Sequence, residues 1–236
     1  MIAYKFLSSG AIGLFSRFAW PTPTAGAPGE WVRVDGEIQP CLNGVHACAM
    51  ARLIDWLDDE LWEIELDDPV LEADGELIAV AGRLIRRLER WNDESARAFV
   101  RHCIDNTVAL TAESLARAGR EVEAEALTAS RSQPGAELNL LQLARTSEAE
   151  QSIPVVFLAD VARLEHGGRP EVADEAPIPD AGGPTPAALA ANLSYVCAHI
   201  TAQLAEQESV GAYDESFARE KRRQAKWLTE RLQLER

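Results

Sequence analysis

Cys41, His46 and Cys48 lie within eight residues of one another, around the turn dipeptide Asn43-Gly44. Thiolate and imidazole are the preferred ligands of zinc, and an imidazole within reach of a thiol can activate it as a nucleophile. The spacing works against a structural metal site, which wants a close ligand pair and then a second pair. The other candidates, His102 and Cys103, are adjacent on one predicted helix and so point about 100° apart. The sequence therefore assigns no metal site, and Cys41, His46 and Cys48 remain as its ligand candidates. For thiol chemistry, His46 and Cys48 share a face if they sit on a strand, but no orienting Asp or Asn is marked. The expectation is small buried cysteines flanking a turn. His102 and His199, each close to a cysteine on a helix, read as core or boundary residues.

The elements that position these residues follow from hydrophobic period. Residues 2–7 read as a strand broken by Ser8-Ser9-Gly10, and residues 11–20 as a mixed apolar segment containing Gly13. Three prolines and two glycines make residues 21–29 a loop. A short strand over 31–34 closes at Asp35-Gly36. Met50, Leu53, Ile54 and Leu57 fall at helical spacing, giving a short helix that ends in Asp58-Asp59-Glu60. Trp62, Ile64 and Leu66 then alternate with Glu63 and Glu65, the pattern of a strand with one wet face. A strand over 77–81 continues through 82–88, where the spacing of Leu84, Ile85, Leu88 and Trp91 leaves a helix as the alternative.

From residue 92 the period is helical. Asn92 or Asp93 caps a helix stopped by Gly119, and helices follow over 121–129, 136–145 and 152–168, the last with Pro154 near its start. Val155-Val156-Phe157 leaves a buried strand as the alternative there. Residues 167–186 hold five of the twelve prolines, four glycines and the acids Glu171, Asp174, Glu175 and Asp180, the composition of a linker. Thr185 caps a helix with Pro186 at its first position, and a final helix starts near Asp214. The fold class is α+β: a small α/β module with a short sheet over 1–91, a helical region over 92–166, the linker over 167–186 and a C-terminal helical hairpin over 187–236.

A net charge of −15 over 236 residues argues against nucleic acid and anionic membrane as partners, since binding polyanions needs a basic surface. The local exception is the last helix, with Arg219, Lys221, Arg222, Arg223, Lys226 and Arg231. These residues form either a solvated face or a docking surface for an acidic partner. No stretch approaches the roughly 20 apolar residues of a membrane helix, and residues 1–5 lack the character of a secretory signal. A cytoplasmic location with reduced thiols is the expectation.

Two resemblances add to this reading. Ile2-Ala-Tyr-Lys5, the Cys41-x-x-Gly44-x-His46-Ala-Cys48 turn and Leu61-Trp62-Glu63-Ile64-Glu65 resemble a bacterial and phage family of uncharacterised domains carrying a C-x-x-G-x-H-x-C turn. Phe217-Ala-Arg-Glu220, Gln224-Ala225, Trp227-Leu228 and Arg231-Leu232 look like the tail of its relatives. That resemblance implies no activity. The order of Tyr4, Gly44-Val45-His46, a short helix and Glu63 is also distantly similar to ADP-ribosyltransferase-like domains. This likeness implies an NAD-using site in which Tyr4 and His46 line a nicotinamide pocket and an acid such as Glu63 steadies the ribose cation. The pattern departs from that family in lacking an S-T-S-like strand and a late Q/E-x-E motif, so no catalytic acid is assigned.

The leading expectation is a non-enzymatic interaction or adaptor protein without a cofactor, whose partner is another protein or a second copy of itself. An ADP-ribosyltransferase-like enzyme is the alternative, and a zinc-knuckle protein the third reading. Five of the six tryptophans, Trp20, Trp31, Trp56, Trp62 and Trp91, fall in the first 91 residues, where rings divide between core and interface.

Overall fold

Strand β1 (Ile2–Leu7) forms the centre of a seven-stranded antiparallel sheet in a computed structural model of the chain. The structure describes residues 1–73, 75–133, 155, 157, 158, 161 and 184–234. The other strands are β2 (Val32–Arg33), β3 (Val45–Cys48), β4 (Glu60–Leu66), β5 (Leu71–Ala73), β6 (Glu76–Ala79) and β7 (Ala81–Arg87), in the order β2-β7-β4-β1-β3-β6-β5. The helices outside the largely undescribed 134–183 stretch are α1 (Asp93–Arg117), α2 (Glu121–Ser130), α3 (Pro186–Glu208) and α4 (Tyr213–Leu232). The chain is α+β, as its sequence predicts. The helices expected over 136–145 and 152–168 and the linker over 167–186 lie largely outside the described residues.

The chain divides into two compact units, neither contiguous in sequence. The first comprises Met1–Val100, Pro184–Tyr195 and Lys221–Arg236. Its sheet sorts residues by strand alternation. Ala3, Leu7, Val45, Ala47, Trp62, Ile64, Leu66, Leu77, Ala79 and Leu84 form one apolar layer with Ala11 and Trp20. On β1 the alternate residues Tyr4 and Phe6 are buried too, with Phe6 edge-on to Trp91 at 5.4 Å between ring centroids. The indole of Trp91 donates to the Asp58 carbonyl, which satisfies the polar end of a buried ring. Asn92 caps α1 as expected, its Oδ1 accepting from the amides of Glu94 and Ser95. Thr185 caps α3 in the same way through the amide of Ala188.

Three local predictions are corrected. Residues 50–55 form the expected short helix, of 3-10 type, but the strand expected to continue from 77 through 88 is two strands, β6 paired with β3 and β7 paired with β4. Asp58, Asp59 and Glu60 do not merely end that helix but anchor the loop after β1. Ser8 Oγ donates to Asp58 at 2.6 Å and Ser9 Oγ to Asp59 at 2.8 Å, while the successive amides of Gly10 and Ala11 donate to Glu60 at 3.1 and 3.0 Å. Gly10 and Ala11 both have positive φ, so their N–H groups converge as a small anion-binding nest. Glu60 is buried, and its carboxylate also accepts from Trp62 Nε1 and Arg87. Third, the edge strand β5 carries no alternating apolar pattern and was not predicted.

The second unit comprises Arg101–Gly183 and Val196–Glu220. Arg131 reaches Asp105 at 2.7 Å, and Arg117 pairs with Glu208. The α3–α4 turn is built on Glu206, whose carboxylate accepts from the amides of Gly211 and Tyr213. Those two bonds hold its pKa below the ordinary carboxylate range. Beside that turn, His199 Nδ1 is 2.5 Å from the Tyr213 hydroxyl, and Tyr213 stacks on Phe217.

Candidate functional site

The Cys41–Cys48 stretch is a tight loop entering β3. Gln39 and Asn43 exchange backbone hydrogen bonds, and the Asn43 side-chain amide donates to the carbonyls of Asp35 and Glu37. Gly44 sits at φ 148°, and a Cβ there would lie 2.4 Å from Ile78 Cγ2, so the position excludes a side chain. Cys41 is left-handed at φ 61°.

That conformation turns the Cys41 amide toward His46, where it donates to Nε2 at 3.2 Å. Because Nε2 accepts, the ring proton belongs on Nδ1, which lies 3.0 Å from the Gly44 carbonyl and donates to it. Both nitrogens of His46 are therefore committed to the loop backbone. The thiol of the exposed Cys41 lies 3.9 Å from each carboxylate oxygen of Glu76, and His46 Nε2 lies 4.0 Å from that carboxylate. In this arrangement His46 shapes the turn, and its basic nitrogen is directed at the Cys41 amide instead of a thiol.

Cys48 lies in a different environment. It is buried, and burial pushes its thiol up to about 12 against the opposing pull of the Lys5 ammonium. At neutral pH it is a protonated thiol, a poor nucleophile and a poor ligand. Lys5 occupies the β1 position between Ala3 and Leu7, in the apolar layer. Its Nζ donates to the His46 carbonyl at 2.6 Å and lies 5.2 Å from the Trp20 ring centroid. The residue as a whole keeps some solvent access, yet burial of the ammonium lowers its affinity for the proton. None of the four cysteines forms a disulfide, and no three His, Cys, Asp or Glu side chains among the described residues are grouped to hold a metal ion.

Register brings two of the three NAD-site candidates side by side: Tyr4 on β1 pairs with Glu63 on β4 and with Cys48 on β3. Tyr4 is buried, and the Glu63 carboxylate is held bidentately by Arg86 at 2.6 and 3.1 Å. A second cross-strand pair, Glu65 with Arg83 at 2.7 Å, completes that row. His46 pairs with Ile78 on β6, its ring occupied as described above.

The basic residues of α4 have separate fates. Lys221 is mostly buried in an ion pair with Asp55 at 2.7 Å. Lys226 is exposed and 3.9 Å from Glu230. Arg222 and Arg231 are exposed, as is Arg219, whose guanidinium meets Ser216, while Arg223 is half-buried. Arg222 and Lys226 stand at the rim of a groove of about 460 Å³ between the 3-10 helix and the end of α4, lined on its apolar side by Met50, Ala51, Ala225 and Leu234.

A second surface feature was not found from the sequence. Residues 14–19 are all exposed and include Leu14 (38%), Phe15 (79%) and Phe18 (44%). The loop is nonetheless well built: Ile12 bridges both Ser8 and Ala19, Gly13 N donates to Phe18 O at 2.8 Å, Arg17 N donates to Gly13 O and Trp20 N to Ala11 O. Phe15 lies edge-on to Trp56 at 6.0 Å, and Phe18 edge-on to Trp20 at 5.8 Å. The available signal was an apolar run lacking either helical or strand period, which is how an exposed knob reads in one dimension.

Comparison with known proteins finds no protein-family model, no curated protein and no solved structure that matches this chain.

Proposed function

We propose that this protein acts through protein–protein contact, as an adaptor or accessory protein, and that the Leu14–Phe15–Phe18 knob is its contact surface. The observation that carries the reading is a backbone-braced loop that holds three large apolar side chains in solvent. Fully burying one such side chain is worth about 1.5–3 kcal/mol, and aromatic anchors on a rigid support lose little entropy on docking. Leaving them exposed has no benefit to the isolated chain, whereas a partner that covers them gains that burial.

The test is capture from the native host with the full chain, beside Phe15→Asp and Phe18→Asp forms and a Val210→Asp control at a 95% exposed residue in the α3–α4 turn. A specific partner lost with either knob variant and kept by the control supports the reading, whereas capture indifferent to both knob variants ends it. The NAD-using alternative has one observation in its favour, the pairing of Tyr4 with Glu63. It requires a thermal shift with NAD that disappears in Tyr4→Phe and Glu63→Gln.

A further inference from the structure

We propose that the partner covering the knob is a second copy of this chain, each copy setting Phe15 into the other's groove between the 3-10 helix and α4. The inference rests on the reading that the knob is a contact surface, and adds its occupant. Knob and groove flank one short element. Phe15 packs on Trp56, which directly follows the 3-10 helix Met50–Asp55, and Met50 and Ala51 at the start of that helix line the groove. Six residues at a rise of about 2 Å separate the two features by on the order of 12 Å. A two-fold axis beside this helix therefore makes both contacts at once, each counted twice, and the interface closes.

The charges match in the same arrangement. Arg17, between the two phenylalanines, has no side-chain partner among the described residues, and the groove that receives the knob contains Glu230. At the base of the knob stand Asp58 and Asp59, held by Ser8 and Ser9. The groove rim offers Arg222, whose guanidinium likewise lacks a partner among the described residues, and Lys226. For two copies that repel through a charge of −15 each, local complementarity of this kind is what fixes orientation. The groove volume of about 460 Å³ accommodates a phenyl ring and its neighbour.

The experiment is sedimentation equilibrium of the purified full chain from about 1 to about 100 µM in physiological salt, where mass action separates monomer from dimer. The mass is expected to double across that range. Phe15→Asp raises the dissociation constant at least about tenfold. Ala51→Arg, a change at an exposed groove residue, does the same by filling the groove, while Val210→Asp leaves the dimer intact. Mixing the Phe15→Asp and Ala51→Arg forms pairs one intact knob with one intact groove and yields more dimer than either form alone. Circular dichroism establishes that each variant is folded. A chain monomeric throughout, or an Ala51→Arg form that dimerises like the wild type, overturns the proposal. If the chain is monomeric but Phe15→Asp still abolishes host capture, self-association falls and the adaptor reading stands. If the dimer behaves as expected but host capture ignores the knob, that reading falls alone.

Discussion

Lys5 is the residue whose type is least expected for its position. Strand alternation assigns it to the same layer as Ala3 and Leu7, and only the His46 carbonyl, the Trp20 ring and the nearby Glu76 carboxylate compensate its charge. Burial lowers its proton affinity below the ordinary lysine value of 10.5. The unfolded chain therefore binds more protons between the folded pKa and 10.5, and stability rises with pH across that window. Below the folded pKa the penalty is fully present. Lys5→Met, which keeps the stem and removes the charge, is expected to stabilise the protein by about 1 kcal/mol at pH 7. The gain should shrink as pH approaches 10.5. Urea melts of both proteins from pH 7 to 10 check this, and a gain that grows with pH would refute it. Cys48 works in the opposite direction: its thiol is raised to about 12, so the stability it contributes is present below about 9 and is lost between 9 and 12. Comparing both proteins at each pH cancels the Cys48 contribution to first order.

At the scale of elements, the loop between β1 and β2 is held less by its own residues than by Asp58, Asp59 and Glu60 at the start of β4. Glu60 is the critical acid, since one buried carboxylate satisfies two backbone amides, an indole and a guanidinium. Removing it strands the buried donors of Ala11 and Trp62, while Gly10 and Arg87 keep access to water. Glu60→Ala is expected to cost about 3 kcal/mol and to speed amide exchange at Gly10 and Ala11 before that of β1. Urea denaturation with exchange measured by NMR reads both, and a loss below about 1 kcal/mol would show that the nest is not what braces the knob. The strand pairs Glu63–Arg86 and Glu65–Arg83 are a milder case, lying toward solvent where ion pairs contribute little.

At the scale of the whole molecule, 38 acidic residues against 23 basic ones give a chain that repels itself at neutral pH. Screening lengths fall from about 30 Å at 0.01 M salt to about 8 Å at 0.15 M. Raising sodium chloride across that range is therefore expected to raise the melting temperature by a few degrees. A fall would mean that exposed ion pairs such as Arg117–Glu208 outweigh the net repulsion. No helix among the described residues is long and apolar enough to cross a membrane.

Period and punctuation alone determined the α+β class, the strand over residues 2–7, the alternation on β4 and the Asn92 and Thr185 caps, whereas the turn expected at Asn43-Gly44 falls at residues 40–42, between the bridged Gln39 and Asn43. Each of the features so determined depends on neighbours within a few residues, so a one-dimensional reading reaches it. The tertiary structure alone decided which acid meets which donor. Glu60 reads as the end of a helix and becomes the anchor of a loop 50 residues earlier, and Lys221 reads as part of a basic face and is half of a pair with Asp55. It also decided which apolar residues stay outside. Phe15 and Phe6 are alike in the sequence, but the sheet buries Phe6 against Trp91 and the braced loop leaves Phe15 in solvent. For Phe15 burial is set by what long-range pairing covers, and the aperiodic run around it does not encode that.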